Sequence, residues 1–216
     1  MTKIFEGVAQ FKKDEFPKRE DLFKKLAKSQ SPEVLFITCA DSRIDPNLIT
    51  QSEPGELFIC RNAGNIIPPH SAQTGGMTAS IEYAVAVLGV EHIVVCGHTD
   101  CGAMKGVLHP EGLEELPHVC NWLGHAEAAK RIVKDNHSDL EGDACLSKLI
   151  EENVLVQLQN LRTHPYVSAR LSAGKVKLHG WVYNIADGTF TAHNPETNRF
   201  ESIMDAERQS LHQKSA

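Results

Sequence analysis

Two short segments combine residue types that hold metals with types that steer protons. They are Cys39-Ala40-Asp41-Ser42-Arg43 and His98-Thr99-Asp100-Cys101. Two thiolates and one imidazole make a zinc set, and three protein ligands leave the fourth tetrahedral position for water. Zinc makes such a water acidic and supplies hydroxide near neutral pH. The thiolates donate charge, so the metal is a weaker Lewis acid here than among neutral ligands. Activity is therefore expected to rise toward alkaline pH.

Asp41 lies two residues past Cys39, and Arg43 two past Asp41. In a turn leaving a strand, the guanidinium can hold that carboxylate by two parallel hydrogen bonds. Such a carboxylate stays ionised and accepts a hydrogen bond from zinc-bound hydroxide, which turns the oxygen lone pair toward an electrophile. The plainer alternative is a surface ion pair worth little. Cys60 is the spare thiol that would complete a four-ligand structural zinc, and a zinc-stabilised binding module is the corresponding non-enzymatic reading. Cys96 and Cys101 lack the Cys-x-x-Cys spacing of redox loops.

Each segment directly follows a short apolar, β-branched run, Val34 to Thr38 and Ile93 to Cys96. Two adjacent strand ends would bring Cys39, His98 and Cys101 together. Around them, Leu57–Cys60 reads as another strand, and Asp45-Pro46 opens a short helix to about Gln51. Residues 62–76 read as a loop. Met77, Ile81, Ala84, Val85 and Leu88 form a helical stripe that stops at Gly89. Strand, helix and strand with short links predict an α/β fold with a mostly parallel central sheet flanked by helices. Ligands of such sheets gather at the carboxyl ends of strands, where both segments fall. Residues 119–171 read as mostly helical, with Leu149, Val154, Leu155, Leu158 and Leu161 on an apolar face. Lys177–Asn184 and Thr189–Ala192 read as a hairpin around Asp187-Gly188, at or near a sheet edge.

At the amino end, Ile4, Val8 and Phe11 recur at helical spacing, and Pro17 opens a second helical pattern. Residues 1–30 are expected to form a helical arm that lies on a partner subunit, and residues 31–216 a single α/β domain. The arm is rich in Lys and Arg and residues 111–152 in Asp and Glu; solvated helix faces are the expected reading, and docking of the basic arm on a partner's acidic region is the sharper alternative.

The chain has 216 residues and a formal net charge of −6. That length fills one core without staples, so the six cysteines are expected to be reduced. The charge argues against a nucleic-acid partner. No apolar run is long enough to span a membrane. Met1 to Phe11 lacks the apolar stretch of a secretory signal, so a cytoplasmic location is expected.

Taken together, these segments resemble the β-class carbonic anhydrases, in particular plant-like and bacterial members. The resemblance rests on Cys-x-Asp-x-Arg at 39–43, His-x-x-Cys at 98–101, Arg61-Asn62-Ala63-Gly64-Asn65, and Ala79 to Val85. It extends from the arm to the segment Leu178 to Tyr183. It implies the β-carbonic anhydrase fold, a homodimer or higher homo-oligomer, and one Zn2+ per chain held by Cys39, His98 and Cys101. The implied reaction is reversible hydration of carbon dioxide to bicarbonate and a proton by zinc-bound hydroxide, with Asp41 and Arg43 as the catalytic pair. Hydrolysis of carbonyl sulfide or carbon disulfide on the same scaffold is the alternative. The resemblance also implies that Gln30, Phe58, Tyr83 and Gly102 contact substrate, Gln30 from the arm of the neighbouring subunit. Phe36 stands where an allosterically regulated subgroup carries Trp. An open site with Asp41 paired to Arg43, not bound to the metal, is therefore expected. His70, His109 and His118 are candidate proton carriers.

Overall fold

The apolar runs ahead of the two segments are neighbouring parallel strands, β1 (Val34–Cys39) and β3 (His92–His98), paired in register from Val34–His92 to Thr38–Cys96. A computed structural model describes residues 1–71 and 75–204 of the chain. Strand β2 (Leu57–Asn62) flanks β1, and β4 (Lys177–Tyr183) flanks β3, both parallel to their neighbours. Two antiparallel strands, β5 (Phe190–Asn194) and β6 (Arg199–Ser202), complete a sheet of order β2-β1-β3-β4-β5-β6. The expected hairpin is thus present, but β4 lies inside the sheet, and the unanticipated β6 forms the edge.

Helix α1 (Thr2–Gln10) and helix α2 (Glu20–Leu26) precede the sheet. Phe16 stacks on Phe23, with ring centroids 5.3 Å apart, and Phe11 meets both edge-on. Arg19 ties this unit to Glu53 at 2.7 Å. Ile4, Phe5 and Val8 remain exposed. Helix α3 (Pro46–Thr50) begins as its sequence suggests, with Pro46 in the first turn and the Asp45 carboxylate accepting from the Leu48 N–H. Helix α4 (Gly76–Glu82) continues as a wider turn over Tyr83–Leu88 and ends at Gly89, whose φ of 73° is left-handed. The expected loop 62–76 includes residues 72–74, and the expected domain ends in residues 205–216; both lie outside the described residues.

After β3 come α5 (Gly102–Leu108), α6 (Pro117–Leu123), α7 (Glu127–Asn136), α8 (Gly142–Arg162) and α9 (Pro165–Ser172). Helix α5 was not anticipated. Pro165 restarts the chain as α9 after α8 ends. The alternation of β1 and β3 puts Leu35, Ile37, Ile93 and Val95 on one face, packed with Ile81, Val85, Val154, Leu161 and Val167. Phe36, Val94 and Cys96 face the other way, against Trp181, Tyr183 and Phe190. A further apolar cluster joins α5 to α8 beside the strand ends and includes Cys39 and Cys101. Helix α8 approaches β4 so closely that a Cβ at Gly180 would lie 2.9 Å from Val154 and Leu158 atoms. A larger residue there would have to displace those side chains.

Candidate active site

Cys39 is the last residue of β1, His98 the last of β3, and Cys101 directly precedes α5. Strand pairing therefore brings residues far apart in sequence to one end of the sheet. One Sγ or ring nitrogen from each of the three lies within 4.8 Å of the others, and all three side chains are buried. Among the described residues this is the one cluster of metal-ligating side chains of its kind.

The electrostatics of the cluster suit a cation. His98 Nδ1 lies 2.9 Å from the Thr99 carbonyl, which can only accept, so Nδ1 carries the proton. Nε2 is left with a free lone pair, and it is buried with no hydrogen-bond partner. An orphaned buried acceptor facing two sulfurs fits a metal ion, which would use that lone pair. The Cys39 thiol is held well below its ordinary range, chiefly because Cys101 donates to it, with the Gly64 N–H also favouring the thiolate. Cys101 is pushed far up, because it keeps the proton shared with Cys39 and is buried. A cation bound here would displace the proton that Cys101 keeps, and both sulfurs would then serve as ligands. Two sulfurs and an imidazole are a donor set that suits zinc.

Asp41 stands beside this cluster rather than in it. Its Oδ2 is 3.9 Å from His98 Nε2. Arg43 grips the carboxylate from both sides: its backbone N–H and Nε donate to Oδ1 at 3.0 and 2.9 Å, and Nη2 donates to Oδ2 at 2.8 Å. These bonds hold Asp41 well below the usual carboxylate range. Arg61 fixes the turn by donating to the carbonyls of Cys39 and Asp41, at 3.0 and 2.8 Å.

Sequence reasoning gave no role to Asp100. Its carboxylate accepts from Arg43 Nη1 at 2.9 Å and from Lys105, and its φ of 58° is left-handed. A charged residue one position before a predicted ligand was the available signal.

Phe58 and Tyr83 meet with ring centroids 6.0 Å apart. Gly102 is the exposed first residue of α5. Gln30 is exposed on the link between α2 and β1. His70, His109 and His118 are all exposed. Cys60 sits within β2, opposite Ile37, and is not part of the three-residue cluster, so the four-ligand set is not formed. Cys96 is a buried free thiol, pushed up to about 12 by burial.

Comparison with known proteins agrees with this geometry. The carbonic anhydrase family model matches residues 34–190. A carbonic anhydrase of Pseudomonas aeruginosa is 51% identical over 95% of this chain and 93% of its own. One from Synechococcus elongatus is 54% identical over 87% of this chain and 70% of its own. The solved β-carbonic anhydrase CcaA superposes with a TM-score of 0.91 at 48% identity, covering 94% of this chain and 98% of that one. Half of all positions retained along nearly the full length, on a matching fold, leaves one assignment. The chain belongs to the β-class carbonic anhydrase family.

Proposed function

We propose that this chain catalyses the reversible hydration of carbon dioxide to bicarbonate and a proton, using one zinc ion held by Cys39, His98 and Cys101. The observation that carries the reading is the buried, unpaired His98 Nε2 set against two cysteine sulfurs. Bound there, zinc would acidify water and supply hydroxide near neutral pH.

The remaining work falls to the protein. Arg43 keeps Asp41 ionised and fixes its orientation. Oδ2 would then accept a hydrogen bond from the attacking water-derived oxygen, which turns a lone pair of that oxygen toward the substrate carbon. Phe58 and Tyr83, in ring contact with each other, would wall the small apolar slot that a substrate without charge or net dipole needs, a role that rests on the family resemblance. The Gly102 N–H would donate to the oxygen on which charge develops. Gln30 reaches the site of a neighbouring subunit, carried by the arm of residues 1–30. The exposed Ile4, Phe5 and Val8 support that docking, as does a structural relative at 27% identity, from Sordaria macrospora, described as tetrameric. No described helix is long and apolar enough to cross a membrane, and a cytoplasmic homo-oligomer is the proposed form.

The matched relatives are carbonic anhydrases, which favours carbon dioxide over carbonyl sulfide or carbon disulfide. Stopped-flow hydration on the Asp41→Ala variant tests the reading. A fall of about 10²–10⁴-fold in kcat/KM with metal content unchanged is expected. An unchanged rate, or faster sulfide release than carbon dioxide hydration by the native protein, would overturn it.

A further inference from the structure

Helix α8 buries two side-chain amides, Asn153 and Gln157, within its apolar face. Burying amides costs free energy unless every polar atom is paired, and a leucine would pack there without that demand. Both amides are spent on one short stretch of backbone. Gln157 Oε1 accepts the Ile67 N–H at 2.8 Å. Its Nε2 must then point the other way, and it donates to Asn153 Oδ1 at 2.9 Å. Asn153 Nδ2 is thereby turned outward and donates to the Gly64 carbonyl at 3.0 Å. The backbone N–H of Ile67 sets the direction of the whole relay, because an N–H can only donate. Asn160 supports it by donating to the Ile67 carbonyl at 2.9 Å and to Gln157 Oε1 at 3.2 Å.

The relay ends where the metal chemistry begins. The Gly64 N–H donates to Cys39 Sγ at 3.4 Å. Gly64 has a φ of 80°, and a Cβ there would lie 2.9 Å from Met104 Cε and 3.0 Å from Ala103 Cβ. The residue is thus held from below by Asn153 and pressed from the side by α5, with its N–H aimed at the sulfur.

We propose that Asn153 and Gln157 are positioning residues for the metal centre: by anchoring the Gly64 carbonyl they hold the glycine Cα through which the preceding peptide N–H is aimed at the Cys39 thiolate. The inference rests on the zinc reading of Cys39, His98 and Cys101. A hydrogen bond to a ligating sulfur orients the ligand and spreads its charge, and loss of such supporting partners typically costs 10–100-fold in metal affinity or activity.

The test compares full-length Asn153→Leu, Gln157→Met and His164→Phe proteins with the native chain. His164 is the control, because its Nε2 bonds the Pro68 carbonyl at 3.0 Å and so anchors the far end of the same loop. Zinc affinity is measured by competition with a chromophoric chelator, and the thiolate-to-metal charge-transfer band after cobalt(II) substitution. The expected result is zinc binding about 10–100-fold weaker, with a shifted band, in both amide variants. His164→Phe should stay within about twofold of native, because it does not touch Gly64. Equal affinities and bands throughout, or an equal loss in His164→Phe, would overturn the proposal. So would failure of both amide variants to fold in excess zinc, which would make the pair a general support of the core. A native chain that binds no zinc would instead defeat the metal reading itself.

Discussion

Arg43 and Asp100 are joined by a 2.9 Å ion pair between Nη1 and Oδ2, and this bond links the two segments that carry the Cys39–His98–Cys101 cluster across 57 residues. Arg43 also donates from Nη2 to the Asp100 carbonyl at 3.2 Å. Its guanidinium is therefore held on two sides, by Asp41 and by Asp100, and Asp100 is in turn held by Lys105.

Asp100→Asn should leave Arg43 on Asp41 but loosen it. The substitution keeps a side chain that tolerates the left-handed backbone at this position. Arg43 and Asp100 are both about half exposed, and such pairs contribute up to about 1 kcal/mol. A two- to fivefold fall in kcat/KM is therefore expected, roughly what that energy allows. It should shrink at high ionic strength, as a screened surface pair does. A loss above about a hundredfold in stopped-flow hydration would mean that Asp100 acts on the substrate itself.

The arm should be an assembly element. Its inner side is closed by Phe11, Phe16 and Phe23, while Ile4, Phe5 and Val8 are left about two-thirds exposed. Burying a Val or Phe side chain stabilises an interface by roughly 1.5–3 kcal/mol. Introducing Phe5→Asp together with Val8→Asp should shift sedimentation from a dimer or larger species toward the monomer. An unchanged mass at micromolar concentration would show that the arm docks elsewhere or not at all.

The three-residue cluster was legible because Cys39 and His98 end strands built on β-branched runs, Cys101 lies three residues further on, and parallel strands end side by side. The strands β1 to β3 and the stop at Gly89 were readable for the same reason: local pattern and tertiary position agree. Asn153 and Gln157 were not readable. A polar residue between leucines on a helix scores as a solvated position, and only the approach of the 62–68 backbone gives it a buried partner. Helix α5 escaped because Gly102 and Gly106 in seven residues speak against a helix, yet Met104 and Val107 are anchored in the helical cluster. Strand β6 is four residues long, too short for alternation to declare itself.

Acidification should weaken the fold through His164. Burial is the main cause that holds this histidine below its ordinary value. Its native pKa is depressed, so its stabilising contribution is complete above the unfolded value of about 6.5 and is lost as pH falls toward the lower, native value. The urea midpoint of the zinc-loaded protein should drop between pH 7.5 and 5.5. The drop should be smaller in His164→Phe, which removes the titrating group even though it also removes the Pro68 contact. Identical drops in the two proteins would show that His164 contributes nothing to acid sensitivity.

The dependence of catalysis on the cluster is tested most directly by stopped-flow carbon dioxide hydration on protein stripped of metal and then titrated with zinc. The rate should be close to background without metal and rise in proportion to added zinc. It should level off at about one ion per chain, the stoichiometry of three protein ligands around each ion. A stripped protein that hydrates carbon dioxide at the full rate, or one that zinc does not restore, would contradict the account.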